Sequence, residues 1–195
     1  LVMSVVYEII LSVAAGFLLA LILLNIAFGS KLYSLYVIPI LIIVTGLIFS
    51  HPKILYLLFN LALRKFKKTE IQASDFLSYW RAIQLILYYF VLYFLQGIGF
   101  FFLINSIVPL SFHAMIGVIG SHVLALVSGA AALFAPDGLG VREGILALTL
   151  QFYFPVGIAV LISAIARIWF SLAEVVFWAG FYIYSKISHY DGKTT

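Results

Sequence analysis

Cysteine is missing from all 195 residues, so disulfides and thiolate chemistry are excluded. Charge is nearly as scarce. Only 9% of residues are Asp, Glu, Lys or Arg, where a soluble domain has about a quarter. The four histidines are scattered and offer no metal-ligand spacing. Walker-type Gly-Lys-Ser/Thr, Gly-x-Ser-x-Gly and His-Glu-x-x-His motifs are all absent, so the spacing supports neither a nucleotide site nor an enzyme of those classes. No basic n-region or small-residue cleavage site marks a signal peptide. There is no repeat, low-complexity tract or soluble domain, and nothing implies a cofactor or nucleic acid.

What fills the chain is apolar: 65% of residues are hydrophobic. Hydrocarbon admits only segments whose backbone groups pair internally, and the short alternation of a β-barrel is not seen. The expected fold is therefore all-α, a polytopic integral membrane bundle of about five full spans plus a short broken or re-entrant helix. The spans are read as 3–28, 32–50, 79–105, 112–134 and 156–185, and the short apolar piece as 145–154, closed by Pro155. Between the second and third spans, residues 53–68 carry Lys53, Arg64, Lys65, Lys67 and Lys68, the pattern of an interfacial amphipathic helix. Residues 1–195 read as a single membrane domain. The opening Leu1-Val2-Met3 reads as internal, which makes the chain the later part of a longer domain.

Several helical faces carry polar or small residues. Glu8, Ser12 and Ala15 align, as do Tyr89, Tyr93, Gln96 and Phe100. Gly117, Ser121, Ala125, Ser128 and Ala132 form a small-residue stripe suited to close helix approach, within one chain or between two copies. His122 beside that stripe reads as a hydrogen-bonded packing residue. Ser163, Arg167, Ser171, Glu174 and Trp178 share a face of the last span. Charge in hydrocarbon costs at least about 2.5 kcal/mol, so that face should look inward, either as an ion-pair lock or toward a headgroup.

The stretch Ala135 to Gly144 interrupts this pattern with three glycines, a proline and three charges. Pro136 cannot continue a helix, and Gly138 and Gly140 permit positive φ, so helical hydrogen bonding should break here. A helix beginning after the break would offer backbone amides to an anion, with Arg142 at hand to grip phosphate. Arg167 adds a second positive charge. Glu143 and Glu174 either hold the arginines in place or recognise a cationic headgroup. Asp137 and Glu143 lack a neighbouring nucleophile or metal set, so catalysis is not supported.

Pro136-Asp137-Gly138-Leu139-Gly140-Val141-Arg142-Glu143 resembles the Pro-Gly-Gly-aliphatic-Gly-aliphatic-x-Glu signature of the lysylphosphatidylglycerol synthase transmembrane family. That family includes the flippase domain of the bacterial multiple-peptide-resistance factor and membrane domains attached to archaeal glycosyltransferases. Asp137 stands where the family usually has glycine. Arg167 falls where it tends to have arginine. Val5-Val6-Tyr7-Glu8 is loosely similar to a short acidic-basic motif, with Ile9 in place of the arginine. The resemblance implies broken or re-entrant helices and translocation of lipid between leaflets. It carries Pro136, Gly138, Gly140, Glu143 and Arg167 over as functional positions. The residues and the resemblance together point to Pro136, Asp137, Gly138, Gly140, Arg142, Glu143, Arg167 and Glu174 as a site for a phospholipid or lipid-linked glycan headgroup. The alternative is a non-catalytic module that anchors or presents lipid to a partner glycosyltransferase or synthase. The basic residues gather on one side of the expected topology, opposed by Lys31 alone, which places both termini in the cytoplasm of a cell-membrane protein. A re-entrant hairpin at 136–154 would instead put the tail outside.

Overall fold

Small residues decide which helix sits at the centre. In the computed structural model, which describes residues 2–29, 79–132 and 135–191, the helix richest in them is α3, Met115–Ala131. Around it lie α1 (Val2–Phe28), α2 (Tyr79–Ile107), α4 (Val141–Leu150) and α5 (Val156–Asp191). Two single 3-10 turns, Phe112–Ala114 and Pro136–Gly138, open α3 and precede α4. The described residues are 90% helical and none is in a strand. Four segments are long and apolar enough to cross a membrane: Glu8–Phe28, Trp80–Ile107, Phe112–Ala131 and Val156–Lys186. The expected span 32–50 and the basic amphipathic helix 53–68 lie outside the described residues.

α3 packs on α1, α2 and α4. Its contact with α1 works because side chains are missing where the backbones meet. A Cβ added at Gly120 would stand 3.0 Å from Leu24 Cγ and 3.1 Å from Leu23 Cβ, and one at Gly117 would stand 3.0 Å from Ala27 Cβ. This close fit of backbone to backbone is what dispersion attraction needs. Leu19, Ala20 and Leu23 of α1 bury against Ile119 and Val123 of α3. A larger cluster joins Phe100, Phe101 and Ile104 of α2 to Val118 and Ala125 of α3, Leu146 and Leu150 of α4, and Ala159, Ile162 and Ala166 of α5.

The polar faces of α1 and α2 meet. The Tyr89 hydroxyl donates to Glu8 Oε1 at 2.8 Å, so each polar group finds its partner in the neighbouring helix. Tyr89→Phe should cost about 0.6 kcal/mol, the mean for such bonds between membrane helices. A denaturation midpoint in micelles reads this, and the loss should vanish when Glu8 is already alanine.

Several boundaries differ from expectation, most for a local reason. α3 ends at Ala131 instead of 134, where the Ala132 amide is shared between the Ser128 and Gly129 carbonyls at 3.1 and 3.2 Å. α4 is Val141–Leu150 instead of 145–154. It starts early because Gly140 caps it. It stops early because Tyr153 and Phe154 turn back onto the Leu150 carbonyl at 2.9 and 3.0 Å. Its ten residues cover about 15 Å, half a bilayer. Pro155 closes nothing. It opens α5, its carbonyl accepting from the Ala159 amide at 3.0 Å, and α5 then runs to Asp191, past the expected end at 185.

Candidate functional site

The break between α3 and α4 turns on three left-handed residues. Asp137 has φ 53° and ψ 26°, Gly138 has φ 66°, and Gly140 has φ 82° and ψ −39°. The glycines adopt this without cost; Asp is one of the few other residues whose short side chain tolerates it. Two bonds tighten the turn, from the Gly138 amide to the Ala135 carbonyl at 2.9 Å and from the Leu139 amide to the Pro136 carbonyl at 3.1 Å. Gly138 then lies directly on Gly129 of α3. A Cβ at Gly138 would come within 2.5 Å of Gly129 Cα and 2.8 Å of its carbonyl carbon. Two backbones touch here with nothing between them.

Arg167 of α5 clasps this turn. Its Nη1 donates to the Asp137 carbonyl at 3.2 Å and its Nη2 pairs with the Asp137 carboxylate. Nη1 also lies 3.4 Å from Glu143 Oε1, with the two side chains 20% and 23% exposed. Glu143 in turn accepts from the Gly140 amide through Oε2 at 2.8 Å. This is the N3-to-N-cap half of a capping box; glycine has no side chain to supply the other half. The start of α4 is thus not an empty anion seat, because its first amide already holds the chain's own carboxylate. One guanidinium binds the turn, the next helix and α5 into a unit.

Arg142 has a different environment. It is half-buried, and no carboxylate or hydrogen-bond acceptor among the described residues reaches it. Its guanidinium carbon lies 5.3 Å from the centroid of Phe170. Phe170 stacks on His122 at 5.0 Å and 26°, and His122 stacks on Phe100 at 4.5 Å and 22°. His122 is only 1% exposed. Among the described residues neither of its ring nitrogens has a hydrogen-bond partner, so it packs through its ring faces alone and not as the hydrogen-bonded residue expected. Burial first, and then Arg167 nearby, lowers the Arg142 pKa from its ordinary value, opposed by Glu143, Asp137 and Glu174.

Arg142 borders a cleft of 470 Å³ between the end of α3, the break and α5. Pro136, Asp137, Gly138 and Glu174 line it too, with Leu126, Gly129 and small alanines as the floor. Of the eight residues singled out by sequence, five line this cleft, while Gly140, Glu143 and Arg167 sit behind it as cap and clasp. The polar face of α5 divides: Ser163 and Arg167 turn inward, and Ser171, Glu174 and Trp178 are exposed. Gly129 and Phe170 went unremarked in the sequence. Gly129 neighbours the small-residue stripe and was masked by it; Phe170, one aromatic among many, carried no signal.

Among the described residues no group of His, Asp and Glu could hold a metal ion. The chemistry on offer is recognition by charge: one guanidinium without an acidic partner, one carboxylate of α5, and a glycine-lined wall. No family model, no curated protein and no solved structure matches this chain.

Proposed function

We propose that the protein is a flippase-like membrane protein, which takes a phospholipid or lipid-linked glycan headgroup into the cleft at the break and passes it between leaflets. The observation that carries this reading is Arg142. A half-buried guanidinium that borders a 470 Å³ cleft with no acidic partner among the described residues has only the Phe170 ring to offset its lost hydration, unless an anion completes it. Phosphate is the anion that arginine grips bidentately and that every phospholipid and polyprenyl carrier displays. The half-bilayer length of α4 supports the reading as well, because broken helices in membranes are tolerated where they line a cavity. The motif resemblance points the same way. We place the chain in the cell membrane with both termini cytoplasmic, on the distribution of its basic residues.

The test is movement of labelled lipid between leaflets of proteoliposomes containing the protein. Arg142→Ala should slow transfer at least about tenfold, the loss of roughly 1.4 kcal/mol of headgroup interaction, while the variant still elutes as a folded protein. Undiminished transfer by Arg142→Ala would sink the proposal. Absence of transfer by the parent protein, with lipid still bound, would leave a module that presents lipid to a partner enzyme.

A further inference from the structure

The charges around the cleft do not favour a headgroup of net negative charge. Arg142 and Arg167 stand against Asp137, Glu143 and Glu174, leaving the cluster one negative charge in excess. Arg167 is consumed by Asp137 and Glu143. What remains facing the cleft is one cation, Arg142, and one carboxylate, Glu174. No ion pair joins these two, and neither has another polar partner among the described residues. Two opposite charges held apart at one cleft are complementary to a molecule carrying both signs.

Resting on the headgroup-binding reading above, we propose that the cleft selects a zwitterionic aminophospholipid, with the phosphodiester on Arg142 and the primary ammonium on Glu174. A net-negative headgroup such as phosphatidylglycerol would satisfy Arg142 but add to the negative excess. A choline headgroup matches in charge but has no N–H to donate to the carboxylate, and charge-assisted hydrogen bonds are the stronger ones. The surroundings of Glu174 favour a lipid over a soluble phosphoamine. Val175, Val176, Phe177 and Trp178 next to it are 64–70% exposed, so the helix around it offers apolar side chains against which acyl chains can lie.

The experiment uses the full chain in mixed micelles with equal amounts of phosphatidylethanolamine, phosphatidylcholine and phosphatidylglycerol of identical acyl chains, and quantifies the lipid that copurifies. Phosphatidylethanolamine should be enriched about tenfold over each of the others, as expected for one hydrogen bond to a charged group. Glu174→Gln, at an exposed and unpaired position, should keep the fold and abolish that enrichment. Arg142→Gln should lower retention of all three. Phosphatidylglycerol retained as well as phosphatidylethanolamine, or an enrichment that survives Glu174→Gln, overturns the zwitterion assignment. Retention unaffected by Arg142→Gln overturns the headgroup reading beneath it. Soluble glycerophosphoethanolamine should compete poorly; displacement as effective as by the lipid overturns the lipid source.

Discussion

Gly138→Ala should be among the most damaging single substitutions in the described part of the chain, lowering stability by about 3 kcal/mol or more. Two costs add. A left-handed φ of 66° costs an L-residue roughly 1–2 kcal/mol. The new methyl would also stand 2.5 Å from Gly129 Cα, and backbone cannot yield as a flexible side chain can, so α3 and the turn must separate. Overpacking of this kind costs about 1–3 kcal/mol. Two neighbouring glycines separate the costs. Gly140→Ala meets nothing within 4 Å but has φ 82°, so it should show strain alone. Gly144→Ala also meets nothing and lies inside α4, so it should be neutral or stabilise by up to about 1 kcal/mol. Thermal midpoints of the three variants in detergent should therefore rank Gly138 worst and Gly144 best. A Gly138→Ala midpoint no lower than that of Gly140→Ala would mean the two backbones do not touch.

Arg167→Leu comes second, because it leaves Glu143 Oε1 buried beside an apolar side chain. Among the described residues that oxygen has no hydrogen bond, only the guanidinium 3.4 Å away. Removing one member of a buried pair costs about 3–5 kcal/mol; here the side chains keep 20% and 23% exposure, so about 2–3 kcal/mol is the expectation. Because the cost is an orphaned charge, the double variant Arg167→Leu with Glu143→Gln should be more stable than Arg167→Leu alone. Asp137→Asn should cost less than about 1 kcal/mol, as its side chain is 81% exposed and exposed pairs contribute little. If the double variant is no better than the single one, Arg167 acts through something other than Glu143.

These expectations give the two arginines separate roles that the sequence could not separate. Both were legible as charges that must face protein or ligand, because hydrocarbon penalises them anywhere else. Which would be satisfied internally depended on a contact across thirty positions, from Arg167 to Asp137, and no periodicity encodes that. The apolar helices were legible because length and hydropathy alone define a span. So was the break, since Pro136, Gly138 and Gly140 forbid or escape helix geometry locally. The left-handed Asp137 was not, because aspartate takes that conformation only when its surroundings hold it there. The start of α4 was misjudged by four residues because capping by Gly140 and Glu143 pulls Val141 to Gly144 into the helix, although their composition reads as loop.

The stack running from Arg142 through Phe170 and His122 to Phe100 draws on three helices besides the one that bears the arginine. Its rings come from α5, α3 and α2 in turn. The column therefore links the guanidinium to α2, a helix outside the cleft lining. The aromatic column works as a brace: its far end, Phe100, lies in the apolar core, and its near end is the half-buried charge of Arg142.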